Sequence, residues 1–151
     1  MIAILEKCID EIRQHGSRDY PHECCGLLLG SFEPNGTKAV FETYAISNAR
    51  EEAAKRNRFL ITPEELLRGE RYARDQKLDV VGFYHSHPDS PAMPSQYDLE
   101  HAWPTYSYII VNTGQDQTGD LRSWVQRDDR SQFDEEPVEL ALSSSPSYWK
   151  E

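Results

Sequence analysis

His85 and His87 stand two residues apart, and Asp98 follows the second by eleven. Two imidazoles and a carboxylate are ligands of the kind a catalytic zinc ion takes, with a fourth position left for water. On a strand, residues i and i+2 point to one face, so an extended Tyr84–Pro88 stretch presents both imidazoles together. Proline continues a strand poorly, so the chain is expected to leave at Pro88 through a loop, Asp89 to Pro94. It would return on a helix whose first turn carries Asp98. That arrangement predicts a metal-dependent hydrolase, which needs a general base from elsewhere in the chain. Ser95-Gln96-Tyr97-Asp98 also fits a capping box, with Asp for the usual Glu or Gln. The expectation is that Asp98 cannot serve cap and metal together in full.

The elements that must hold these residues are read from periodicity. Ile2, Leu5, Ile9 and Ile12 recur at helical spacing, predicting a helix over residues 2–15 ended by Gly16. Cys25 to Gly30 is a short apolar run that suits a buried strand, and Ala39 to Ile46 alternates like its hairpin partner after a Pro34-Asn35-Gly36 turn. Residues 47–57 are polar and read as a loop or short helix, and Phe59-Leu60-Ile61 as a strand. Thr62-Pro63-Glu64-Glu65 opens a helix to about Gln76, since Thr caps, Pro suits the first turn and acids favour the positive dipole end. Asp79 to His85 reads as a central strand. Ser95 starts a helix to about Trp103, and Tyr106–Asn112 and Leu121–Gln126 read as strands. Residues 137–142 add an edge strand, and the tail 143–151 is expected to be flexible. Together these give one α/β domain, residues 1–142, with a single mixed β-sheet flanked by helices.

Composition narrows the class. A chain of 151 residues with three Trp, eight Tyr and five Phe can build a packed core. A net charge of −10 disfavours nucleic acid as a partner, because phosphates need basic residues. No apolar run is long enough to span a bilayer and no signal peptide is legible, so a cytoplasmic protein with no membrane role is expected. Cys8, Cys24 and Cys25 are odd in number and partly adjacent, a poor disulfide framework, and read as buried thiols.

His85-Ser86-His87-Pro88, six residues, Ser95, two residues and Asp98 resemble the JAMM motif, Glu…His-x-His-x10-Asp, of the JAB/MPN metallopeptidase family. Pro21-His22-Glu23-Cys24-Cys25-Gly26 through Gly30 resembles the segment in which the family's Glu precedes a glycine-containing strand. Asn48 with Arg58-Phe59 and Pro63 resembles its middle section. The resemblance implies a cytidine-deaminase-like fold, His85, His87 and Asp98 as zinc ligands, Glu23 as general base and Ser95 as donor to the oxyanion. From the residues alone, a Glu just before a buried strand, such as Glu23, is more often a solvated turn residue. His22 has no matching motif, Cys24 should point away from Glu23, and His101 reads as a surface residue.

The resemblance further implies a peptidase or isopeptidase acting at the C-terminal Gly-Gly of a ubiquitin-like protein, in bacteria a ThiS/MoaD-type sulfur carrier. Glycines let an extended tail approach a metal closely, and such a tail can add as a strand at an open sheet edge. Residues 47–58 are candidates to shape the cleft. Two rivals stay open: a noncatalytic MPN-type scaffold, and a non-haem iron enzyme on the same His/His/Asp set. A nucleobase deaminase would need a Pro-Cys-x-x-Cys that the chain lacks.

Overall fold

The computed structural model describes residues 1–50, 55 and 58–141. Its elements run β1 (Ile2–Leu5), α1 (Glu6–Asp19), β2 (Cys25–Phe32), β3 (Lys38–Ile46), α2 (Pro63–Asp75), β4 (Asp79–Pro88), α3 (Gln96–His101), β5 (Ser107–Gly114), β6 (Gln117–Gln126), β7 (Phe133–Glu136) and β8 (Val138–Ala141). All eight strands form one mixed sheet in the order β7-β6-β5-β4-β2-β3-β1-β8. β4 lies inside it, antiparallel to β2 and parallel to β5. The expected α/β architecture with one mixed sheet and few helices is therefore what the chain builds.

α1 covers one face of the sheet. Ile12 and Cys8 from the helix pack there with Cys24, Leu28, Tyr84 and Ile109. α2 covers the other face, with Ala73 against Leu27, Leu29 and Cys25. Thr62 caps α2 through its side chain, which accepts from the Glu65 N–H at 3.2 Å, and Pro63 sits in the first turn, as the sequence predicts.

Three expectations need correction, and one strand was missed. The first residues form a strand before the helix: Ile2 to Leu5 are all buried and pair with both β3 and β8. The apolar spacing there fits a strand running into a helix as well as it fits one helix. Gly16 does not end α1, which runs on to Asp19. A Cβ at Gly16 would stand 2.8 Å from Thr113 Cγ2, so this glycine lets the helix sit close on β5. Phe59-Leu60-Ile61 is not a strand, because the segment is tied by side chains instead of a ladder. The edge strand over 137–142 is real as β8, but β7 precedes it and was not legible in the polar run Phe133-Asp134-Glu135-Glu136. Lesser shifts trim the ends: β4 runs on to Pro88, α3 stops at His101, and β5 starts at Ser107.

β7 and β8 are separated by Pro137 alone, yet they pair with strands at opposite ends of the sheet order. The sheet must curl until its ends meet, with residues 133–141 as a ribbon shared between β6 and β1. Glu136 sits buried at the junction, where its carboxylate accepts from the Ser107 and Ser123 hydroxyls and faces the Met1 ammonium at 3.5 Å. Of the segment read as a loop or short helix over 47–57, residues 51–54, 56 and 57 lie outside the described residues, as do Leu142 and the tail 143–151. No helix among the described residues is long and apolar enough to cross a membrane.

Candidate metal centre

β4 alternates as required. Tyr84 and Ser86 face α1, and the Ser86 hydroxyl accepts from the Cys24 N–H at 2.8 Å. His85 and His87 face the other way, both buried. Their Nε2 atoms stand 3.3 Å apart, and Asp98 Oδ2 lies 3.3 Å from the first and 3.1 Å from the second. Four tetrahedral ligands at metal distances of about 2.0–2.1 Å are spaced about 3.3 Å from one another. Three converging atoms at that spacing fit a divalent metal ion.

The orientation of each ligand has a local cause. His87 Nδ1 lies 2.8 Å from the Pro91 carbonyl, so that ring nitrogen carries the proton and Nε2 turns its lone pair to the site. The loop supplying Pro91 is itself held: the Asn112 amide donates to the Ser90 carbonyl at 2.6 Å and the Trp124 indole N–H to that of Ala92 at 3.0 Å. Phe59 stacks on the His85 ring, with centroids 4.7 Å apart and planes at 28°. α3 begins with the predicted capping box: Ser95 Oγ accepts from the Asp98 N–H at 3.0 Å, and Asp98 Oδ2 from the Ser95 N–H at 2.9 Å. Cap and site therefore meet at Oδ2 of Asp98.

Glu23 also reaches the site. Its carboxylate lies with the ring nitrogens of His85 and His87 in a group whose ligand atoms are all within 4.8 Å of one another. It is buried, and among the described residues its Oε1 has no hydrogen-bond partner. Burial first, then the nearby charge of Asp98, pushes its carboxyl up to about 9. Asp98 behaves oppositely. Burial works to raise it, but His85, the hydrogen bonds to both imidazoles and the Ser95 N–H prevail and hold it well below the usual carboxylate range. The two carboxyl groups are thus split, one favouring its proton and one its charge, which suits a base beside a ligand.

Two cavities flank these residues. One, of about 240 Å³, is lined by Glu23, His87, Pro88, Ser90, Pro91, Met93 and Ser95. The other, of about 220 Å³, is apolar and is walled by Phe59, Leu60, Ile61, Leu66, Phe83, Tyr97, His101, Trp103 and Tyr108.

With this geometry the likeness to known proteins is specific. Residues 5–127 match the family described as prokaryotic homologs of the JAB domain. The chain belongs to this family. It is 33% identical over 121 residues to a desampylase of Haloferax volcanii, covering 76% of this chain and 84% of that one. It is 28% identical over 125 residues to a CysO-cysteine peptidase of Mycobacterium tuberculosis, covering 82% of each. A solution structure of a Desulfitobacterium hafniense protein superposes with a TM-score of 0.82 at 28% identity, covering 95% and 94% of the two chains. Like its named relatives, the chain is an enzyme, a hydrolase of peptide or isopeptide bonds.

All five residues singled out by spacing and resemblance meet at one place. His22 is not part of the converging group, and Cys24 packs under α1, away from Glu23, as alternation requires. His101 is exposed but not idle: its ring stacks on Tyr97 at 4.1 Å and walls the apolar cavity. Sequence reasoning missed Phe59 as a partner of His85 and Tyr97 as a hub for Arg50 and Arg58, whose guanidinium carbons lie 5.3 and 4.9 Å from its ring. A signal existed for Tyr97, since it lies one position before Asp98 on the same first turn.

Proposed function

We propose that this chain is a zinc-dependent isopeptidase that hydrolyses the amide after the C-terminal Gly-Gly of a ubiquitin-like or sulfur-carrier protein conjugate. The observation that carries the reading is the convergence of His85 Nε2, His87 Nε2 and Asp98 Oδ2 at tetrahedral spacing, with the buried Glu23 carboxyl alongside. The names of the relatives support the substrate class.

In this reading His85, His87 and Asp98 hold the ion. A bound zinc ion lowers the pKa of a coordinated water to about 7 and polarises a carbonyl. Its positive charge would also offset the Asp98 charge that, after burial, keeps Glu23 protonated. Glu23 then takes a proton from the attacking water and passes it to the leaving amine. Ser95 Oγ accepts from its own helix and still has one O–H to give, which in this reading would go to the developing oxyanion. In this reading the leaving amine would lie beside Glu23, in the cavity with Pro91 and Met93, and the acyl tail along the apolar Phe59–Trp103 wall. The proposed setting is the cytoplasm, consistent with three free, buried thiols.

The test is incubation of the zinc-loaded protein with fusions of ubiquitin-like sulfur carriers to an amino acid or a protein, read by intact mass. Cleavage directly after Gly-Gly is expected. Full zinc occupancy with every conjugate intact would overturn the proposal, and stoichiometric iron after aerobic purification would revive the non-haem rival.

A further inference from the structure

Asn48 belongs to no helix or strand and to none of the groups assigned so far, yet its side chain joins four backbone groups around the centre. Nδ2 donates to the carbonyls of Glu23, at 3.1 Å, and Arg58, at 2.9 Å. Oδ1 accepts from the N–H groups of Arg50 and Leu60, both at 3.0 Å. An amide has two N–H donors and two acceptor lone pairs, so this one is fully used. The N–H of Glu23 donates to the Lys55 carbonyl at 2.6 Å. Both backbone polar groups of Glu23 are thus held by Asn48 and Lys55, while β2 begins only at Cys25. Between the Arg58 carbonyl and the Leu60 N–H, the two groups Asn48 holds on the far side, sits Phe59, stacked on His85.

We propose that Asn48 is a positioning residue for the reaction: it fixes Glu23 and Phe59 to one another, so that the base and the His85 ring keep their relation. The proposal rests on the reading of Glu23 as general base. Few other side chains serve. Aspartate keeps the acceptor for Arg50 and Leu60 but turns an oxygen toward two carbonyl oxygens, so it preserves half of the staple and repels the other half. Alanine loses all four bonds. If Asn48 only folded its own segment, its loss would lower stability and act on turnover independently of Glu23. If it acts through Glu23, the two effects cannot add.

The experiment compares zinc-loaded wild type, Asn48→Asp, Glu23→Gln and the double variant on one conjugate, recording kcat, KM, zinc stoichiometry and amide exchange at Glu23. Asn48→Asp is expected to lower kcat about tenfold or more with KM within about twofold and zinc retained. The double variant should be no slower than Glu23→Gln alone. Asn48→Ser repeats the series should the Asp variant unfold. Wild-type kcat in Asn48→Asp, or losses that multiply in the double variant, would overturn the assignment. A wild type that cleaves no conjugate would sink the isopeptidase reading, and exchange then decides for Asn48. Faster exchange at the Glu23 amide alone supports the staple, and unchanged protection there refutes it.

Discussion

Glu23 carries a proton in the folded, metal-free protein that it would release once unfolded in neutral solution. Its carboxyl is raised from 4.5 to about 9, so the folded state binds the extra proton between those values. Stability contributed by this group is full below 4.5 and drains away as pH climbs to about 9, by a few kcal/mol at most. After chelation, Glu23→Gln should therefore melt higher than wild type at pH 8, with the gap closing toward pH 5. Thermal melts at both values check this, and a gap independent of pH would mean the carboxyl is solvated. If the proposed zinc reading holds, the same variant loaded with zinc should keep the ion and lose most turnover. At this scale the sequence was most legible where spacing is short: His85, His87 and Asp98 lie within a single strand–loop–helix unit. Glu23 came only through resemblance. Asn48 and Phe59 act on groups 25 and 26 positions away, distances at which no local pattern signals contact.

α1 and α3 show how an element can be read correctly in kind and wrongly in detail. A glycine that closes a helix tolerates change differently from one pressed against a sheet. At a solvent-facing helical site, Gly→Ala stabilises by about 0.5–1 kcal/mol. Gly16→Ala should instead destabilise by about 1–3 kcal/mol, because the added Cβ meets Thr113 at 2.8 Å. Urea unfolding gives the sign directly. For α3, Ser95 both caps the helix and faces the site. Ser95→Ala should lower stability by about 1 kcal/mol and kcat by about a hundredfold. Denaturation and initial rates separate the two, and a stability loss with normal kcat would leave Ser95 as a cap alone. The strand misread at Phe59-Leu60-Ile61 has the same lesson: three apolar residues satisfy a strand pattern, but Asn48 and the Tyr97 hydroxyl, which donates to the Phe59 carbonyl at 3.2 Å, hold them in an irregular path.

For the molecule as a whole, charge and closure dominate. A net charge of −10 repels itself, and salt screens that repulsion, so the melting temperature should rise between low and molar KCl. A flat melting curve across that range would show the charges to be already balanced locally. Glu136 is the buried acid that ties the curled sheet, through Ser107, Ser123 and the Met1 ammonium. Glu136→Ala strands both hydroxyls and should destabilise by about 1–3 kcal/mol without changing zinc stoichiometry. Calorimetry with metal analysis checks it. β8 was legible as an edge strand but the closure was not, because β7 is a mostly polar run and the partner of β8, β1, lies at the other end of the sequence. That remoteness also dictates a timetable. Ile2 pairs with Val138 as well as with Lys38, so the first strand made by the ribosome can join β3 early but must wait for one of the last strands before its second ladder can form. The residues that meet at the candidate metal centre are all present once Asp98 has emerged. During synthesis, the catalytic face can take shape while the back of the sheet still gapes.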